Sequence, residues 1–101
     1  VDQTAQCIDI TSEKGSWKFT FEYDSTPGNI TVKKGSITVN GVSLTVTDAH
    51  NNKEKNIFSV AIIPYTFDNT TFKYLKPNDI VNLEFDILGK YVGEYLKAFN
   101  K

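Results

Sequence analysis

The sequence has a single cysteine, Cys7, and no methionine. One cysteine cannot close an internal bridge, which excludes a small secreted domain stapled by disulfides. A cytoplasmic setting fits that usage. Histidine is equally scarce: His50 stands alone, and one histidine with one distant cysteine cannot assemble a zinc site. Charge of one sign is lacking too, with 11 Lys plus Arg against 12 Asp plus Glu and a formal net charge of −1. Without a basic excess, nucleic acid is a poor partner. No apolar run approaches the roughly 18 residues that a membrane helix needs, and nothing at the start reads as a secretory signal. No glycine-rich loop precedes a helix, so a phosphate cradle is not expected. The missing methionine and a start directly on strand-forming residues are what a piece of a longer chain would show. Loss of a tag or of a disordered start would leave the same pattern.

What remains is a composition ordinary for one folded domain: 101 residues, 40% hydrophobic, 23% charged and 13% aromatic. Period-two alternation dominates it. From Trp17 to Tyr23, Trp17, Phe19, Phe21 and Tyr23 fall on one face and Lys18, Thr20 and Glu22 on the other. Thr4–Ile10 precedes this run across Glu13-Lys14-Gly15-Ser16, predicting a hairpin. Ser36–Val39 and Val42–Thr47 flank Asn40-Gly41, two residues that tolerate the positive φ of a tight hairpin turn. A polar loop is expected over Asp48–Asn56. Ile57–Ile63 then reads as a strand buried on both faces, ended by Pro64. Pro77-Asn78-Asp79 reads as a turn, and Ile80–Asp86 alternates again with Val81, Leu83 and Phe85 on one side. Ile87, Leu88, Tyr91, Val92, Tyr95, Leu96 and Phe99 switch to helical spacing, an amphipathic helix of about three turns. Gly93 weakens it. The expectation is all-β: a six-stranded antiparallel barrel over residues 1–86 with a C-terminal helix over 87–101. Closure spares so short a chain the covering of exposed strand edges.

Side-chain chemistry is sparse. Cys7 lies within a strand and reads as a buried structural thiol; His50 reads as an exposed loop residue. The triplets Asn29-Ile30-Thr31 and Asn69-Thr70-Thr71 read as loop and turn residues. Ser43, Thr45 and Thr47 leave one face of a strand whose other face carries Leu44 and Val46. Those hydroxyls make either a solvent-facing row or the polar floor of a ligand site. Ile62-Ile63-Pro64-Tyr65-Thr66 ends a strand at proline, which leaves backbone groups able to pair with the amide edge of a flat heterocycle, with Tyr65 at its border. Lys34, before Gly35, is a surface lysine or a donor aimed at a polar ligand.

The runs Lys34-Gly35-Ser36-Ile37-Thr38-Val39-Asn40-Gly41-Val42-Ser43-Leu44-Thr45-Val46, Ile62-Ile63-Pro64-Tyr65-Thr66-Phe67 with Thr70-Thr71, Asp79–Asp86 and Lys90-Tyr91-Val92 resemble, in order and spacing, the second lumazine-binding barrel of riboflavin synthase. Val1-Asp2 looks like the end of a Gly-His-x-Asp motif whose first two residues are absent. Tyr65 stands where that family carries His or Glu. Cys7 matches no motif position, and the family's first barrel has no counterpart here.

The resemblance implies a Greek-key barrel shared with ferredoxin-reductase-like flavin domains. It also implies a dismutation in which one 6,7-dimethyl-8-ribityllumazine passes a four-carbon unit to another, giving riboflavin and 5-amino-6-ribitylaminouracil without metal or redox cofactor. It implies a site shared with the N-terminal barrel of a neighbouring subunit, in a homotrimer held partly by the C-terminal helix, with lumazine synthase as a further candidate partner. Carried over, Lys34 lies near the ribityl chain or ring. Ser43 and Thr45 bond the ligand, and Ser43 is also the candidate for proton transfer. Ile62, Ile63, Pro64, Tyr65 and Thr66 border the ring system, Val1 adds a backbone contact, and Asp86 supports. Two competing readings share the fold. Antenna-type lumazine proteins bind without catalysis and let the second barrel degenerate, which intact Ser43, Thr45 and Ile-Pro-Tyr-Thr argue against. A ferredoxin-reductase-like flavin barrel needs an Arg-x-Tyr-Ser-type motif, and no arginine here stands in such a pattern.

Overall fold

The computed structural model describes residues 2–13, 15–52 and 54–85. Six strands, β1 (Gln3–Glu13), β2 (Ser16–Asp24), β3 (Ser36–Val39), β4 (Val42–Asn51), β5 (Lys55–Ile62) and β6 (Ile80–Phe85), close into a barrel in the order β1-β2-β5-β4-β3-β6. All pairings are antiparallel. The all-β barrel is as expected. The C-terminal helix, Val1 and Asp86 lie outside the described residues.

Alternation builds the core. Phe19, Phe21 and Tyr23 of β2 are buried, as are Val81, Leu83 and Phe85 of β6. The aromatic rings pack in series: Phe21 on Phe58 at 5.3 Å, Tyr23 on Phe58 at 5.9 Å and Tyr23 on Phe85 at 5.4 Å between centroids. Each such ring removed from water contributes about 1.5–3 kcal/mol. The hairpin turn takes the expected form, with Asn40 at φ 49° and Gly41 at φ 83°. Asn40 also accepts from the Asn82 amide through Oδ1 at 2.8 Å and donates its own amide to the Asn82 carbonyl. The tip of the β3–β4 hairpin is thereby clamped to β6.

Two expectations are corrected. The polar stretch from Asp48 is mostly strand: β4 continues to Asn51, with His50 opposite Ile57 and Asn51 opposite Asn56. A bulge between Val46 and Asp48 shifts the phase, so the polar residues Asp48 and His50 look outward while Ala49 packs against the core. β5 is not buried on both sides. Phe58, Val60 and Ile62 face the core, but Ala61 on the other face is exposed. Pro64 does end the strand, and then opens a helix, α1 (Pro64–Asn69), followed by a 3-10 turn, Thr71–Tyr74. Proline at the first helical position lacks an N–H that would have had no partner there. The 3-10 turn sends Phe72 into the core, edge-on to Phe19 at 5.3 Å.

A buried polar network holds the long β2–β3 connection. Asn56 donates to the Asn29 carbonyl at 3.2 Å and accepts from the Asn52 amide at 2.9 Å; Asn51 donates to the Thr31 carbonyl at 3.1 Å. Tyr23 donates its hydroxyl to Thr31. Burial raises the Tyr23 pKa, against the opposing hydrogen bonds to Thr31 and Asn56. Asn29 and Thr31 are thus structural, in line with the loop reading of their triplet.

Candidate functional site

β4 positions the hydroxyl row. Leu44 and Val46 point into the barrel and are buried, so Ser43 and Thr45 point out and are exposed. Across β3 they face Thr38 and Ser36 respectively. Thr47 does not extend the row. It sits in the bulge, half-buried, and donates to the Ser59 carbonyl at 3.1 Å. Beyond it, Ser59 and Thr20 share a hydrogen bond of 2.9 Å, and Lys18 pairs with Asp48 at 3.6 Å. The outer face around the row is therefore polar and internally bonded.

The Lys34 main chain is fixed against the same strand. Its amide donates to the Val46 carbonyl, and the Val46 amide donates to the Gly35 carbonyl, both at 2.8 Å. The Gly35 amide closes a turn onto Val32 at 2.8 Å. This turn holds Lys34 at φ 71°, a left-handed conformation unusual for a residue with a Cβ.

The Ile62–Thr66 segment leaves the barrel beside this face. β5 pairs with β2 as far as Trp17↔Ile62, whereas its register with β4 ends at Val46↔Val60. In an antiparallel pair, residues before Val46 and residues after Val60 run the same way. Ser43 and Thr45 on β4, and Ile62 to Thr66 on β5 and α1, therefore lie toward the same end of the barrel. Lys34 is held at Val46, where the β4–β5 register ends. Ile62 is buried and faces inward, while Ile63 and Tyr65 are exposed at 59% and 74%. Pro64 is exposed and Thr66 half-buried. The Tyr65 carbonyl accepts from Asn69 at 2.8 Å and the Thr66 carbonyl from Thr70 at 2.6 Å. Seven of the nine sequence-predicted binding residues, Lys34, Ser43, Thr45, Ile63, Pro64, Tyr65 and Thr66, thus lie outside the core toward one end of the barrel, those of α1 on the β2 side. Ile62 offers only its backbone, and Val1 is not among the described residues.

This surface is open and polar with an apolar border. Its side chains can bond the amide edge and hydroxylated chain of a heterocycle, and Ile63 and Tyr65 can cover part of a ring. A separate hollow of about 240 Å³ lies over β1, β2 and β5, with Gln6, Glu22, Asp24 and Lys55 in its lining and none of the predicted residues. Asp24 there has its pKa lowered, chiefly by the Thr26 backbone amide. Among the described residues no cluster of three metal-ligating side chains occurs. Cys7 is fully buried, and desolvation pushes its thiol up to about 11, which leaves it protonated and unreactive at neutral pH. His50 is exposed, though on a strand and not in a loop.

Sequence reasoning missed the link between α1 and the barrel. Trp17 and Phe67 stack at 4.4 Å with an interplanar angle of 9°. Nothing local in either segment signals a contact across 50 residues of chain.

Residues 1–86 match the model of the lumazine binding domain. The chain is 36% identical over 96 residues to the riboflavin synthase of Actinobacillus pleuropneumoniae, covering 95% of this chain and 43% of that protein. It is 33% identical over 98 residues to that of Meyerozyma guilliermondii, covering 96% and 40%. With that of Bacillus subtilis the identity is 32% over 101 residues, covering all of this chain and 45% of that one. The chain thus spans a little under half the length of these relatives, and it belongs to the lumazine-binding domain family.

Proposed function

We propose that this barrel binds one 6,7-dimethyl-8-ribityllumazine, or riboflavin as product, as half of the site of a riboflavin synthase. One observation carries the reading: strand order puts the outward Ser43 and Thr45, Lys34 and the exposed Ile63–Thr66 segment toward the same end of the barrel. In this reading Ser43 and Thr45 hydrogen-bond the heterocycle, and Ser43 is placed to move a proton at its acidic methyl carbon. Lys34 serves the ribityl chain or ring. Backbone groups of Ile62 and Pro64, with Ile63, Tyr65 and Thr66, border the ring system and its side chain, Val1 adds a backbone contact, and Asp86 supports the arrangement. The return of β6 beside β3 past the β3–β4–β5 meander supports the Greek-key assignment.

An open face holds one side of a flat ligand and needs a second surface to hold the other. The reading therefore assigns the opposite side to the N-terminal barrel of a neighbouring subunit, in a cytoplasmic homotrimer with residues 87–101 as its assembly helix. Catalysis would come from holding two lumazines face to face, which turns a bimolecular step into an intramolecular one, together with proton transfer. The test is a fluorescence titration of the chain with riboflavin and with dimethylribityllumazine. Saturable binding that weakens in Ser43→Ala is the expected result; binding by neither ligand contradicts the reading. Robust riboflavin formation by this chain alone would overturn the half-site claim.

A further inference from the structure

α1 carries Tyr65 and Thr66, whose carbonyls accept from Asn69 and Thr70, but these bonds are local and do not tie the helix to the barrel. It has six residues, none of them buried, with no side-chain cap at its N-terminus and no acidic residue in its first turn. A helix so short does not persist in water without tertiary contacts. Phe67 supplies the contact. Its ring lies flat on Trp17 at 4.4 Å, with Phe19 a second neighbour at 6.3 Å, and its amide donates to the Ile63 carbonyl at 3.0 Å. Trp17 is in turn the direct cross-strand partner of Ile62. Trp17 therefore brackets the segment, by strand register at Ile62 before Pro64 and by ring stacking on Phe67 after it.

We propose that the Trp17–Phe67 stack is a positioning device for the ligand site, setting the direction in which the chain leaves β5 and so the placement of Ile63, Tyr65 and Thr66. The inference rests on the assignment of that segment to the ligand. Neither ring needs to touch the ligand. Their role is to hold in advance a geometry that binding would otherwise have to impose.

The test is a double-mutant cycle on affinity for riboflavin and dimethylribityllumazine, with folding followed separately by thermal melting. Phe67→Ala and Trp17→Ala should each weaken binding roughly three- to tenfold, the range set by one aromatic pair. The double variant should lose no more than the single ones, because both release the same segment. Phe67→Tyr, which keeps the ring, should bind as wild type does. Exchange of the residue 67 amide, which bonds the Ile63 carbonyl and closes the first turn of α1, should quicken in Phe67→Ala while Phe58 and Val60 stay protected. Trp17→Ala risks unfolding the hairpin, so Phe67→Ala decides by itself: a folded Phe67→Ala chain with wild-type affinity overturns the inference. If Ser43→Ala weakens binding and Phe67→Ala does not, the site reading survives and only the positioning role is lost. If the wild type binds neither ligand, both fall together.

Discussion

Lys34 allows stability and binding to be separated in one residue. The Val32–Gly35 turn holds it at φ 71°, with its amide committed to Val46 and its side chain exposed. A residue with a Cβ pays roughly 1–2 kcal/mol in the left-handed region. Glycine escapes that strain but returns about 0.5–1 kcal/mol through its larger unfolded-state freedom. Lys34→Gly should therefore leave the barrel more stable by about 0.5–1 kcal/mol, a rise in Tm of a few degrees for a domain of this size. The same change removes the ammonium group and should weaken ligand binding by up to roughly tenfold, the worth of one hydrogen bond. Lys34→Ala separates the two effects, since it keeps the strain and loses the charge. Urea denaturation and ligand titration of the three chains give the answer. A Lys34→Gly chain less stable than wild type would refute the strain argument, and wild-type affinity in both variants would remove Lys34 from the site.

Three further outcomes are expected. Gly35→Ala should destabilise the barrel by about 1–3 kcal/mol, because a Cβ there would lie 2.9 Å from the Val32 backbone carbonyl; a melting temperature unchanged from wild type would contradict the turn geometry. Thr45→Val should weaken riboflavin binding without altering the urea midpoint, since its side chain is exposed and faces outward; equal affinity would mean that the wrong face has been assigned. Stability should fall as pH rises between about 9 and 11, because unfolded Cys7 releases its proton near 9.0 while the buried thiol holds it to about 11. Tyr23, whose pKa is also raised by burial, acts in the same direction at higher pH. Urea midpoints across that window should decline less steeply in Cys7→Ala; identical slopes would show that Cys7 does not contribute.

The parts of the fold legible in the sequence are those written in local pattern. The alternation of Trp17–Tyr23 and of Val81–Phe85, the Asn40-Gly41 turn and the stop at Pro64 all reappear in the structure. The bulges were not legible. Thr47 continues the two-residue rhythm of Ser43 and Thr45, and only the pairing of β4 with β5 shows that the ladder slips there. The same slip hid four residues of strand within an apparently polar loop. α1 escaped notice because its apolar anchor, Phe67, finds its partner on β2 rather than within its own segment. At the site, the outward direction of Ser43 and Thr45 followed from the burial of Leu44. Their position at the same end of the barrel as the Ile63–Thr66 segment depended on strand order, which no local signal carries.

The measurement that tests the central claim most directly is an NMR titration of the isotopically labelled chain with riboflavin, read at each backbone amide. The account predicts shifts concentrated at Lys34, Ser43, Thr45, Ile62, Ile63, Tyr65 and Thr66, with Gln6, Glu22 and Lys55 beside the hollow unaffected. Shifts confined to that hollow, or none on saturation with ligand, would contradict it.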